Sequence, residues 1–163
     1  MEALLDEAKK CLQYGLYVPA LLSYLTVPDA GGAVDFPGSK NNERYPRWFD
    51  ENVSRGAGVD GNLAWALRNA VMHETKTDWR TKFGFDKVEI NVPNVSNIVI
   101  HNCGGIWPDK NLTVRSIYII ELAEAIELGA KAWLSAARRD ADKNERLGGL
   151  LQRRVRGVVP YLG

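Results

Sequence analysis

The chain has 163 residues, 45% of them apolar and 25% charged, which is ordinary globular usage and excludes disordered, collagen-like and coiled-coil readings. Twenty-one Lys and Arg against 20 Asp and Glu leave a net charge of +1, so attraction to phosphate has to come from local clustering. The only two cysteines, Cys11 and Cys103, form no CxxC pair, which argues against a zinc finger or disulfide framework and for a reducing, cytoplasmic setting.

Residues 2–26 carry apolar side chains at Leu4, Leu5, Ala8, Leu12, Leu16, Ala20, Leu21 and Leu25, mostly three or four apart. This spacing predicts one long helix, bent at Pro19 where a backbone donor is missing. Residues 11–28 bear no formal charge over 18 positions. Gln13, Gly15, Pro19, Ser23, Thr26 and Pro28 interrupt that stretch, and the residues before it sum to −1, so it reads as a buried helix rather than a membrane span or an export signal. Residues 27–46 hold Pro28, Gly31, Gly32, Pro37, Gly38 and Pro46 and read as a long loop, of the kind that carries function or serves as a lid over a ligand.

A short amphipathic piece at 47–54 follows, with Trp48, Phe49 and Val53 as its apolar face, ended by Gly56 and Gly58. Asp60 then caps a helix over 61–74. Leu63, Leu67, Ala70, Val71 and Glu74 lie on one side of that helix, and Trp65, Arg68, Asn69, Met72 and His73 on the other. Phe83, Phe85, Val88, Ile90 and Val92 alternate, Pro93-Asn94 turns the chain, and Ile98, Val99 and Ile100 follow, which predicts a β-hairpin over about 83–103 closed by Gly104-Gly105 and Pro108. Helical spacing returns over 113–137 and again, with a basic character, over 140–156, interrupted at Gly148-Gly149. The expected architecture is mainly α: one domain over 1–163, a bundle of four to five helices with one inserted hairpin.

Groups able to exchange protons near neutrality are scarce, because the only histidines are His73 and His101. His101 and Cys103 end the expected hairpin with no carboxylate to orient them, so a strand-end His beside a small thiol is the simpler reading. His73 has more useful neighbours. Asn69 lies four positions before it on the same helix face, and Arg68 lies five before it, roughly 140° round the helix. A His that trades protons near pH 7, an Arg that grips two phosphate oxygens and an Asn that orients either would suffice for RNA cleavage by its own 2′-hydroxyl. The plainer alternative is an Arg capping helix-end carbonyls beside a half-buried His.

The run Arg68-Asn69-Ala70-Val71-Met72-His73 resembles the HEPN superfamily motif, Arg-x4–6-His with a polar residue after the Arg. The likeness extends from about Val18 to Leu134: an uncharged helix, aromatic Trp48-Phe49, the motif helix, and a later helix with Ile120-Glu121-Leu122 and Lys131-Ala132-Trp133. The resemblance implies a HEPN-like bundle and a homodimer in which two motif helices face each other. It implies metal-independent endoribonuclease activity without a cofactor, commonly in toxin–antitoxin or other defence systems with an antitoxin or operon partner. It gives His73 the acid–base role, Arg68 charge stabilisation at phosphorus and Asn69 orientation. Members that have lost activity leave a second reading, a catalytically silent helical interaction or assembly protein.

Seven basic and three acidic residues lie between Arg138 and Arg156. Arg138, Arg139, Arg153 and Arg154 are therefore candidate RNA contacts, although a solvated helix with pairs such as Asp142 and Arg146 accounts for the same pattern. Glu121, Glu124 and Glu127 recur every three residues with no His at metal-ligand spacing, and no Gly-rich segment carries a phosphate-loop motif.

Overall fold

The N-terminal helix is divided at Gly15, and the expected bend at Pro19 does not set its shape. A computed structural model describes residues 1–53, 58–73, 77–93, 104–107 and 112–150, with backbone only for His73 and for 104–107. Helix α1 (Glu2–Gln13) ends and α2 (Tyr17–Asp35) begins within three residues. Gly15 takes φ +70°, and its N–H donates to Leu12 O at 3.0 Å while the Leu16 N–H donates to Cys11 O at 2.8 Å. Those two bonds satisfy carbonyls that the end of α1 would leave orphaned, and glycine reaches that conformation without a Cβ penalty. Pro19 is the third residue of α2, where a backbone N–H would have no helical acceptor, so its ring is accommodated.

The expected loop over 27–46 is mostly helix. Helix α2 continues to Asp35 with Pro28 inside it, α3 spans Asn41–Asn52, and only residues 36–40 connect them. Gly31 and Gly32 are sites of close approach rather than breaks. A Cβ on Gly31 would stand 2.3 Å from the buried Trp48 ring, and one on Gly32 would stand 3.0 Å from the Arg44 carbonyl oxygen. Packing of α3 onto this small-residue surface outweighs the poor helix propensity of Pro28, Gly31 and Gly32.

Helix α4 (Gly61–His73) starts as expected, with the Asp60 carboxylate accepting from the Leu63 N–H at 2.8 Å. Asp50 accepts from the Gly61 N–H at 2.7 Å, and a Cβ on Gly61 would collide with Pro46 O at 2.1 Å, so α3 and α4 meet backbone to backbone. A short helix not anticipated, α5 (Trp79–Phe83), takes up the first aromatic of the expected hairpin.

The described strands form pairings that the expected hairpin did not include. β1 (Lys87–Asn91), β2 (Gly104–Trp107) and β3 (Leu112–Tyr118) form a sheet in the order β1-β3-β2. β1 runs parallel to β3 with Lys87 opposite Val114, and β2 runs antiparallel to it with Trp107 opposite Leu112. Gly104-Gly105 thus opens a strand instead of closing a hairpin, and residues 113–118 are strand rather than helix; Ile98–Ile100, His101 and Cys103 lie outside the described residues. β-Branched Thr113, Val114 and Ile117 suit that strand, with Val114 and Ile117 buried.

Helix α6 (Ile119–Ala137) follows β3 without a linker and buries Leu122, Ala123, Ile126, Ala130, Trp133 and Leu134. Helix α7 (Ala141–Gly148) completes seven helices among the described residues, so the fold is mainly α, as expected, with more helices and a mixed three-stranded sheet among those residues. The core gathers Tyr24, Leu25, Tyr45, Trp48 and Phe49 from α2 and α3 around α6. Trp48 meets Trp133 edge to face at 5.5 Å. Among the described residues, no helix is long and apolar enough to cross a membrane.

Candidate phosphate-binding face on α2, α3 and α4

Arg68 leaves α4 at its junction with α2 and α3, and its side chain is 16% exposed. Its Nε donates to Asp29 Oδ2 at 3.1 Å, pairing α4 with α2. Its Nη1 donates to Asn69 Oδ1 at 3.0 Å. The guanidinium lies 5.3 Å from the Trp65 ring one turn earlier, and Trp65 in turn packs on Tyr45 at 5.1 Å. Three different contacts therefore fix the direction of one flexible side chain.

The other oxygen of Asp29 extends the network to α3. Asn41 Nδ2 donates to Asp29 Oδ1 at 2.7 Å, and Arg44 Nε donates to Asn41 Oδ1 at 3.0 Å. Beneath this chain, buried Tyr45 donates its hydroxyl to Leu25 O at 2.8 Å. Burial pushes the Tyr45 hydroxyl well above its ordinary pKa; the negative charge of Asp29 adds to the rise and Arg68 opposes it.

Arg68 and Asn69 are thus brought together, as their adjacency permits. His73 is the last residue of α4, one turn beyond Asn69, and its side chain lies outside the described residues. Asp29, Asn41 and Arg44 were not among the expected site residues. They fall in the segment read as a loop, and the signal available there was the three-residue step from Asn41 to Arg44 at a helix start.

Among the described residues of the basic C-terminal stripe, Arg138, Lys143 and Arg146 have structural partners. Arg138 pairs with Glu2 at 2.8 Å, holding the Glu2 carboxyl below its usual range, chiefly through that hydrogen bond. Lys143 pairs with Asp35 at 2.7 Å and Arg146 Nε donates to Val34 O at 2.8 Å, so α7 is clamped to the end of α2, where cations meet unpaired carbonyls. Arg146 thus serves α2 rather than Asp142. Trp133 Nε1 reaches the other Asp35 oxygen at 2.7 Å. Arg139 is exposed in the turn after α6, and Arg153 and Arg154 lie outside the described residues.

Glu127 turns toward the bundle, paired with Lys131 and with Lys9 at 3.8 Å, and its carboxyl is held below its usual range, first by the Lys131 hydrogen bond. The Tyr24 hydroxyl beside it is pushed up to about 12, mostly by burial and then by the charge of Glu127. Among the described residues, no group of three His, Cys, Asp or Glu side chains could hold a metal ion. Comparison with family models, curated proteins and solved structures finds no match to this chain.

Proposed function

We propose that the protein is a metal-independent endoribonuclease of the HEPN type, acting as a homodimer in the cytoplasm. The observation that carries this reading is the fixed guanidinium of Arg68, tied at Nε to Asp29 and at Nη1 to Asn69, on a helix whose last residue is His73. In the proposed reaction His73 takes the proton of a ribose 2′-hydroxyl, and the oxygen attacks the adjacent phosphorus. The P–O5′ bond breaks, and the 5′-oxygen leaves with a proton donated by the imidazolium form of the second copy's His73. The products are a 2′,3′-cyclic phosphate and a 5′-hydroxyl end. Arg68 stabilises the negative charge that grows on the non-bridging oxygens, and Asn69 keeps the guanidinium in place. A second copy of α4 would bring its own Arg and His to the same cleft. A toxin–antitoxin or defence setting, with an antitoxin or operon partner, follows from the HEPN reading.

Incubation of single-stranded RNA with the protein in EDTA tests the proposal. Wild type should cleave, while His73→Ala and Arg68→Ala should lose at least a hundredfold in rate and keep a cooperative melt. Intact RNA with wild type, or cleavage unchanged in His73→Ala, overturns it. One observation favours the silent interaction protein as a second reading: the charge of Arg68 is met by Asp29, an ion pair that joins α2 to α4 with no substrate needed. Under that reading His73→Ala matches wild type in RNA cleavage and partner binding alike.

A further inference from the structure

We propose that Arg44 is a second phosphate-binding residue, so that the α2–α3–α4 face holds a phosphate of single-stranded RNA next to the one at Arg68. Arg44 differs from the arginines held in ion pairs. Arg47 is paired with Glu51, Arg68 with Asp29 and Arg138 with Glu2. Arg44 is half-buried, and the bond it donates goes to a neutral amide oxygen, that of Asn41, with no carboxylate partner among the described residues.

Its position is nonetheless fixed. The stem lies across Gly32 of α2, where an added Cβ would come 3.2 Å from Arg44 Cγ, and the Nε is held by Asn41 at 3.0 Å. Immobilising the stem and Nε before a ligand arrives reduces the side-chain entropy lost on binding. With Nε engaged on one side, the end-on edge of a guanidinium, one N–H from each amino group, keeps the fork geometry suited to two phosphate oxygens.

Three hydrogen bonds in series connect the two arginines: Arg44 to Asn41, Asn41 to Asp29, and Arg68 to Asp29. Together Asp29, Arg44 and Arg68 carry a net positive charge, and each oxygen of Asp29 already accepts a hydrogen bond, one from Asn41 and one from Arg68. A backbone of regularly spaced phosphates matches two cations joined by a rigid spacer better than an isolated anion does.

This inference rests on the nuclease reading for its ligand, and binding separates the two. Fluorescence anisotropy with a labelled 12-nucleotide RNA in EDTA, on His73→Ala protein, measures affinity against salt without cleavage. Adding Arg44→Gln should weaken binding several-fold and reduce the slope of log K against log salt by about 0.7, the loss of one single-strand phosphate contact. Arg44→Lys should restore the slope while recovering only part of the affinity, and it keeps the test open if Arg44→Gln fails to fold. An unchanged slope and affinity in Arg44→Gln overturns the inference even if wild type cleaves RNA. Absence of RNA binding at low salt, or displacement by polyglutamate as effective as by unlabelled RNA, also overturns it. Arg44-dependent binding by a protein that cuts nothing upholds the inference and removes the nuclease reading.

Discussion

Two parts of the α2–α3 contact are built on opposite principles. At one end Trp48 fills the space over Gly31 and meets Trp133 edge to face, with nothing of its ring exposed. At the other end Asp29, Asn41, Arg44 and Arg68 make a chain of hydrogen bonds that stays partly open to water. The closed end derives its strength from shape, because apolar area and close packing are lost together when a ring is removed. The open end contributes little net stability per bond and much in direction. The same pair of helices thus separates the work of holding the fold from the work of presenting charge.

Substitutions on the two sides should separate accordingly. Trp48→Ala should cost the most, about 3–5 kcal/mol, and lower Tm by roughly 10 °C in a thermal melt. A loss below about 1 kcal/mol would mean that the closed end does not carry the fold. Gly129→Ala comes next: its Cβ would lie 2.1 Å from Asn52 O, a backbone atom that cannot rotate away. Overpacking there should cost about 1–3 kcal/mol in denaturant unfolding, and an unaltered midpoint would contradict the close approach of α6 to α3.

On the open side, Arg68→Ala strips Asp29 of its cation while leaving it half-buried, and should cost about 1–3 kcal/mol. Arg68→Ala with Asp29→Ala should be less than additive, and strict additivity would show that the pair does not couple α2 to α4. The smallest effect belongs to the α6 surface. The Glu127 carboxyl is held low when folded, so its contribution is present above the ordinary Glu value near pH 4.3 and is lost as pH falls through the lowered folded value. Melts of Glu127→Gln should decline less steeply than the parent between about pH 5 and 3, by under about 1 kcal/mol.

Helical spacing made α4, its Asp60 cap and the existence of α6 as far as Ala137 readable from the residues alone. The hidden parts share a cause. Gly31, Gly32 and Pro28 carry loop propensities, and only the tertiary neighbours Trp48 and Arg44 turn them into a helix face. The parallel pairing of β1 with β3 joins residues 27 apart, such as Asp86 and Thr113, so no local alternation announces it. Arg68 and Asn69 stood out as neighbours. Asp29, Asn41 and Arg44 did not, because their contacts to Arg68 cross helices and leave no periodic trace.

β3 passes into α6 with no intervening loop, and Tyr118 is at once the last strand residue and the cap of the helix. Sheet and central helix are therefore welded into one stiff arm. A ligand or partner that gripped the sheet and tilted it would apply torque directly to Ile126 and Trp133, without slack to absorb the motion.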